Sequence, residues 1–330
     1  MNRIWFAGLV LAGTMLASPT WLWGQSPAKQ PTPAKAAAAS PTPAKPASVE
    51  KPAEGAAANK AATESAAAEP QPYTLRYKFR PGEEIRWKTE HRSHIRSTVQ
   101  GVSATAESFS ESVKVWKVSA VDAEGNMTFE HSFASIKMRQ KHSGKAELSF
   151  DSLTDDKPLP IFEETAKTVG IPLAEVTMDP RGKVVRRESK HKSSRDQGQM
   201  TMTLPENPVK VGEEWTEPLD YQVTAPDGTR RPIRARQVYR LKAVEHGIAL
   251  IELETQILTP VNEPSVQAQL VQQETKGDVR FDIERGRIVG QQFDLDKPIV
   301  NFKGEGSSMH CRTRYREELL PEVESTARKE

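Results

Sequence analysis

Residues 85–99 alternate between apolar and polar side chains: Ile85 and Trp87 belong to one face, and Arg86 belongs to the other. Successive side chains of a β-strand point to opposite faces of a sheet, so this pattern predicts a long antiparallel strand with one face in water. Residues 271–283 alternate in the same way. Long strands are therefore expected in both parts of the chain.

Residues 113–130 predict a strand, a tight glycine turn and a second strand, and residues 238–252 repeat that pattern. Trp116 and Tyr239 occupy the same place in the two copies. Two further short sequence patterns also occur twice, and the three repeated patterns stand in the same order in both parts of the chain, which predicts an internal duplication. The two further patterns are Gly82-Glu-Glu-Ile with Gly212-Glu-Glu-Trp, and the glycine turns at 179–185 and 282–289.

One helix stands out among the strands, at residues 158–170. Pro158 and Pro160 lie near its start, where proline is tolerated, and Gly170 ends it. We therefore predict a mainly β protein, a long antiparallel meander or half-barrel of two related halves with one short covering helix. The halves are expected at about 73–188 and 204–316, joined by a polar and basic loop at 189–203.

The two ends of the chain differ from this β-domain at 73–316. Residues 1–25 contain a charged start and a long apolar stretch, typical of an export signal or an uncleaved anchor. Residues 26–72 are rich in proline, alanine and lysine and cannot form a core, so they predict a disordered linker. Residues 317–330 form a charged tail. An exported protein of the periplasm or cell envelope is expected.

Composition narrows the classes of function. The chain has 46 basic and 44 acidic residues, so overall charge selects neither nucleic acid nor an acidic substrate. Cys311 is the single cysteine, which excludes an intramolecular disulfide framework and cysteine-based metal sites. Basic residues alternate on two predicted strands and either pair with acidic residues of neighbouring strands or form a basic face for anionic lipid or an acidic wall polymer. They are Arg234, Arg236, Arg240, Arg312, Arg314 and Arg316.

Several familiar catalytic motifs are missing: the chain lacks Gly-x-Ser-x-Gly, His-Glu-x-x-His and a phosphate-binding glycine loop. His91 and His94 are the closest histidine pair. On a strand, side chains three residues apart point to opposite faces and cannot share an ion. We therefore predict no metal site, no cofactor and no catalytic residue, and an enzyme is not favoured.

Five large aromatic side chains are candidates for lining an apolar groove under the helix, although ordinary core packing is the favoured interpretation of them. Residues 103–112 contain few large apolar residues, so this stretch is either a projecting ribbon or one wall of an open groove. The five candidates are Trp87, Phe109, Trp116, Phe162 and Tyr239.

Three segments together resemble an uncharacterised family of exported bacterial proteins, a domain of unknown function. They are Phe150-Asp-Ser, Pro205-x-x-Pro-Val-x-Val-Gly-Glu-x-Trp215 and the paired Gly-[Lys/Arg]-[Val/Ile]-Val turns. The resemblance covers roughly Tyr73 to Arg316 and brings no catalytic residues with it. In architecture, long strands covered by a helix resemble the half-barrels of periplasmic lipoprotein carriers.

Three functions remain open. The first is a non-catalytic envelope protein that binds or scaffolds at a surface. The second is a periplasmic carrier or sensor of a lipid-like ligand, held in a half-barrel groove. The third is a hydrolase with an unrecognised site. The expected partners are a lipid-like ligand or an anionic envelope surface, and no nucleic acid.

Overall fold

The computed structural model describes residues 71–191 and 200–322. The predicted signal, nearly all of the predicted linker, the centre of the predicted basic loop and the end of the chain lie outside these residues. In the described part no helix is long and apolar enough to cross a membrane.

The predicted mainly β fold is confirmed: twelve strands, all paired antiparallel, form one large sheet. The first six are β1 (Glu84–Val99), β2 (Val102–Val121), β3 (Met127–His142), β4 (Leu148–Asp151), β5 (Ala174–Met178) and β6 (Val184–Ser189). The last six are β7 (Glu214–Thr224), β8 (Arg230–Glu245), β9 (Ile248–Ile257), β10 (Lys276–Asp282), β11 (Arg287–Val300) and β12 (Ser308–Leu319).

The sheet order is β6-β5-β3-β2-β1-β12-β11-β10-β9-β8-β7, with β4 paired to the far end of β3. The first and last long strands therefore meet at the centre, where Trp87 lies opposite Leu319 and Thr98 lies opposite Ser308. The two outer parts of the sheet approach each other near one end of the strands. There, Glu217 of β7 forms ion pairs with Arg181 and Lys183 of the β5–β6 turn. The open sheet thus curls around an interior.

That interior is filled by two coil segments as well as by strands. Residues 73–79 alternate between apolar and polar side chains, which predicts a first strand, but they are not part of the sheet. They make a single bridge, between Tyr73 and Val209, and bury Leu75, Tyr77 and Phe79 in the core. Met202, near the end of the predicted basic loop, and Leu204, the first residue of the predicted second half, are also buried in the main cluster. In both segments, apolar side chains occur two residues apart, a pattern that fits either a strand or a loop. The place where these side chains pack is evident only from the curled sheet.

The turn between β5 and β6 holds these segments together. Gly182 adopts φ +89°, as the sequence predicted for a glycine at this turn. A Cβ atom there would lie 2.6 Å from the ring of Tyr77 and 2.7 Å from the carbonyl oxygen of Met202. Glycine is therefore required by both the backbone conformation and the close approach.

Two short helices pack on the sheet, whereas the sequence predicted a single helix. The predicted helix at 158–170 is shorter than expected: a 3₁₀ turn at Pro160–Phe162 leads into α1 (Glu163–Ala166). The second helix, α2 (Pro264–Leu270), was missed. Its seven residues are too few for a clear apolar period. Val266 and Leu270 of α2 nevertheless fill a small cluster with strands β7 and β8.

Candidate functional site

A groove of about 580 Å³ crosses five neighbouring strands, β3, β2, β1, β12 and β11. It lies towards the end of the sheet at which β1 turns into β2. This location agrees with the expectation that residues 103–112 form one wall of an open groove. The lining is mostly charged: Arg92, Ser93, His94, Glu107, Ser108, Phe109, Arg139, Gln140, Lys141, Glu147, Asp294, Leu295, Asp296, Arg312, Thr313 and Arg314.

The middle row of the groove is rich in cations. The strand register places Arg92 opposite both Phe109 and Arg314. Phe109 in turn lies opposite Arg139, and Arg314 lies opposite Asp294. Since directly paired residues of antiparallel strands share a face, three guanidinium groups and one carboxylate lie in line across five strands.

Phe109 organises two of these guanidinium groups. The guanidinium carbon of Arg139 lies 4.7 Å from the centre of the phenyl ring, and that of Arg92 lies 5.1 Å from it. Both distances are within the range of cation–π attraction. Phe109 lies between Arg92 and Arg139 in the register, so it supports one guanidinium from each neighbouring strand. We call Arg92, Phe109 and Arg139 the arginine–phenylalanine stack.

The stack has few acidic partners. In the part of the chain that the structure describes, no carboxylate lies within ion-pair distance of Arg139, and Arg92 reaches only Glu90, at 3.4 Å. By contrast, the Nε of Arg314 donates to Asp294 at 2.6 Å. The groove therefore contains guanidinium groups with few acidic partners, those of Arg92 and Arg139, beside the guanidinium group of Arg314, which already pairs with a carboxylate.

The next row along the strands is balanced in charge. His94 Nδ1 lies 3.5 Å from Glu107, and the Nε of Arg312 donates to Asp296 at 2.9 Å. His310 also pairs with Asp296. These contacts, with that of Arg314, confirm for Arg312 and Arg314 the prediction that basic strand residues pair with acidic neighbours; Arg240 likewise pairs with Glu214.

One carboxylate of the groove, Asp296, suits an electrostatic role better than the donation of a proton. The hydrogen bond from His310 and the nearby Arg312 guanidinium hold the pKa of Asp296 below its ordinary value. A carboxyl group that remains ionised does not act as a general acid near neutral pH. The geometry favours binding of a charged partner.

Four of the five predicted aromatic residues do not line the groove. Three of the four, Trp87, Trp116 and Tyr239, are buried in the main core. The rings of Trp87 and Trp116 lie 4.9 Å apart, and Tyr239 stacks on Trp215 at 5.3 Å. These rings pack against other side chains of the interior, and their role in ligand binding stays a prediction.

A buried lysine contacts both tryptophan rings. The ammonium group of Lys114 lies 4.6 Å from the ring of Trp87 and 5.1 Å from that of Trp116. It pairs with Glu317 at 2.6 Å, in an environment where both side chains are almost fully buried. Glu317 also accepts hydrogen bonds from Tyr315 and Gln291. The expectation that Glu317 belongs to a charged tail is therefore wrong.

Phe162 lies in a separate cluster under the first helix. It packs on Phe150, with ring centres 5.9 Å apart, and closes over Ile136 and Met138 of β3. Of the five predicted residues only Phe109 lines the groove. Sequence analysis missed Arg92 and Arg139 because their meeting depends on the register of three strands.

Two histidines are buried on the inner face. His131 is inaccessible to solvent, and neither ring nitrogen has a hydrogen-bond partner of good geometry among the described residues. Burial, followed by the positive charges of Lys114 and Arg187, lowers the pKa of His131 to about 3, with only a minor opposing contribution from the backbone of Val115. Burial alone lowers the pKa of His91 to about 4.

His91 and His94 lie on opposite faces, as predicted: His91 is buried and His94 lines the exposed groove. Among residues 71–191 and 200–322, no group of three or more His, Cys, Asp or Glu side chains is placed to hold a metal ion. Cys311 is buried, and burial raises the pKa of its thiol to about 11.

Residues 189–287 match a family of unknown function, DUF6263. This confirms the expected resemblance to an uncharacterised family, over a shorter range than Tyr73 to Arg316. No curated protein sequence matches the chain.

Two solved structures have a partly similar shape. One, titled as lipid–protein interactions in lipovitellin, shares 11% identity at a TM-score of 0.41, over 74% of this chain and 26% of that one. The other, DynF from the dynemicin biosynthesis pathway of Micromonospora chersina, shares 8% identity at a TM-score of 0.18, over 79% of this chain and 92% of that one. This chain thus spans about a quarter of the lipovitellin chain, and neither similarity bears on function.

Proposed function

We propose that this protein is an exported, non-catalytic binding protein of the cell envelope whose groove binds an anionic group. The observation that carries the proposal is the arginine–phenylalanine stack. It holds two guanidinium groups in fixed positions in an open groove, and no carboxylate within ion-pair distance neutralises Arg139 among the described residues.

The chemistry of guanidinium groups selects the ligand class. Arginine presents planar, bidentate donors that match carboxylate, phosphate and sulfate groups. Stacking on Phe109 restricts Arg92 and Arg139 before a ligand arrives, which lowers the entropic cost of binding. Each hydrogen bond to a charged group contributes about 1.5–3 kcal/mol.

The strand pairing supplies a second argument. Arg92 lies directly opposite Arg314, and uncompensated like charges in that position destabilise a sheet by up to about 1 kcal/mol; Asp294 compensates part of the charge of Arg314, so the repulsion here is smaller. A ligand anion between these side chains would remove that repulsion. The free energy that is recovered when the ligand removes this repulsion adds to the free energy of binding.

The lipid-carrier alternative required an apolar groove lined by the predicted aromatic residues. Four of those five rings pack in filled clusters, and the open groove is lined mainly by charged residues. These observations favour recognition of a charged group over enclosure of an apolar ligand. Placement in the envelope follows from the signal-like residues 1–25 and the Pro/Ala/Lys stretch 26–72.

Calorimetric titration with dextran sulfate, with neutral dextran as the control ligand, tests the proposal. Arg139→Gln is expected to weaken dextran sulfate binding at least about tenfold, since one charge-assisted contact is lost. Arg234→Gln is the matched control, because Arg234 is an exposed strand arginine outside the groove. Equal affinities for the two variants would show that the stack is not the site.

A further inference from the structure

We propose that the end of the sheet beyond the groove is a docking surface for an anionic lipid bilayer. Three hairpin turns meet at this end: residues 100–101 between β1 and β2, residues 143–147 between β3 and β4, and residues 301–307 between β11 and β12. The middle row of the groove is seven residues from the first of these tips along β1, from Arg92 to Val99, or about 24 Å at 3.4 Å per residue.

Each of the three hairpins exposes an aliphatic side chain. Val102 is 72% exposed, Val300 is 65% exposed and Leu148 is 36% exposed. Val102 and Val300 lie three strands apart, which corresponds to about 14 Å at the usual strand spacing. The apolar positions are therefore spread over the whole end of the sheet and do not form a cluster of their own.

Each hairpin also carries a cation without an acidic partner. Arg96, Lys141, Lys145 and Lys303 are exposed, and no carboxylate lies within ion-pair distance of them among the described residues. Two acidic residues, Glu147 and Glu305, lie in the same turns. The four cations at this end therefore outnumber its two carboxylates, so positive charge is in excess.

The combination points to a bilayer and not to a soluble polyanion. Exposed aliphatic side chains gain free energy when they enter the boundary between headgroups and acyl chains, and lysine or arginine beside them contacts anionic headgroups. An acidic polymer would form ion pairs with the cations but would not provide an apolar environment for the aliphatic side chains. Lys141 and Glu147 also line the groove, so the two sites adjoin, but the exposed aliphatic side chains lie outside the groove, and contact with a bilayer goes beyond the proposed binding of an anionic group there.

A position-specific fluorescence experiment separates this end from the rest of the full-length chain. A polarity-sensitive dye is attached at Val102→Cys or, as the control, at Glu245→Cys in the β8–β9 hairpin at the opposite end. Buried Cys311 does not compete for the label. With vesicles of phosphatidylcholine and phosphatidylglycerol, the dye at position 102 is expected to shift to the blue, and quenchers on the acyl chains are expected to reach it. The dye at position 245 is expected to remain in water.

Charge variants provide the second measurement. Lys145→Gln and Lys303→Gln are each expected to lower partitioning onto anionic vesicles about fivefold, the equivalent of roughly 1 kcal/mol for each lysine near an anionic surface. The matched control is Lys117→Gln, an exposed lysine at the other end of β2. It should leave the partition coefficient unchanged.

Three outcomes would overturn the docking surface: equal dye responses at positions 102 and 245, equal losses for Lys117→Gln and Lys145→Gln, or a shift at position 102 with dextran sulfate but not with vesicles. The last result would assign this end to an acidic polymer. Arg139→Gln should bind dextran sulfate weakly yet keep the vesicle response. Failure of the groove proposal and failure of the docking surface are therefore distinguishable.

Discussion

Acidification is expected to destabilise this protein well above the pH range in which most carboxylates titrate, because His131 is buried in its neutral form. The pKa of His131 is lowered from 6.5 to about 3. Between these two values the unfolded chain binds a proton that the folded chain does not bind. The stability contributed by neutral His131 is therefore complete above pH 6.5 and decreases as the pH falls towards 3.

The magnitude follows from the size of the shift. One pKa unit corresponds to about 1.36 kcal/mol, so at pH 5 the proton bound only by the unfolded state costs about 2 kcal/mol. His91, with its pKa lowered to about 4, adds a similar amount. The two histidines together remove about 4 kcal/mol, a large fraction of the roughly 5–15 kcal/mol by which domains are usually stable.

Urea unfolding at pH 7.5 and pH 5.0, followed by tryptophan fluorescence, measures this loss. His131→Leu fills nearly the same volume and cannot titrate, so its loss between the two pH values should be about 2 kcal/mol smaller than that of the unmodified protein. His142→Gln, at an exposed hairpin position, is the control and should behave like the unmodified protein. If His131→Leu loses as much stability on acidification as the unmodified protein, His131 is not the titrating group.

Three further predictions concern packing and binding. Lys114→Met or Glu317→Leu alone should reduce the free energy of unfolding by about 3–5 kcal/mol, since each leaves a buried charge unpaired, and the double variant should recover most of that loss in the same urea assay. Gly182→Ala should lower the melting temperature more than Gly228→Ala does: both glycines have positive φ, but only at Gly182 would the new Cβ meet Tyr77 and Met202, and equal shifts would contradict the contact argument. Phe109→Leu should weaken dextran sulfate binding through loss of about 0.5–1 kcal/mol for each cation–π contact while changing unfolding by urea little; unchanged affinity would remove the stack from the site.

The parts of the fold that could be predicted are those in which one strand carries its own signal. The alternation at 85–99 became the long strand β1, and Gly182 became the turn that its neighbours in sequence implied. The segment 73–79 carries the same alternation but lies outside the sheet, because its apolar side packs against residues more than a hundred positions away along the chain. The internal duplication stays a prediction.

The candidate site was only partly accessible to sequence reasoning. Phe109 stood out as the single large apolar residue of a polar stretch, and it lines the groove. Arg92 and Arg139 were two basic residues among many, since nothing in a strand's own sequence indicates which residue of the next strand lies opposite. Glu317 was placed in the tail because a carboxylate near the end of a chain is normally solvated, whereas the buried Lys114 stabilises it inside.

The pairing of β1 with β12 has a consequence for the order of folding. The seam at the centre of the sheet joins residues near the start of the described chain to residues near its end, so it cannot form until synthesis of the last strand is complete. Contacts this distant along the chain carry a large loop-closure entropy and are expected to form late. Until then the edges of β1 and β11 are unpaired and open to strands of other molecules. A chaperone that covers these edges during folding would be expected to raise the yield of folded protein.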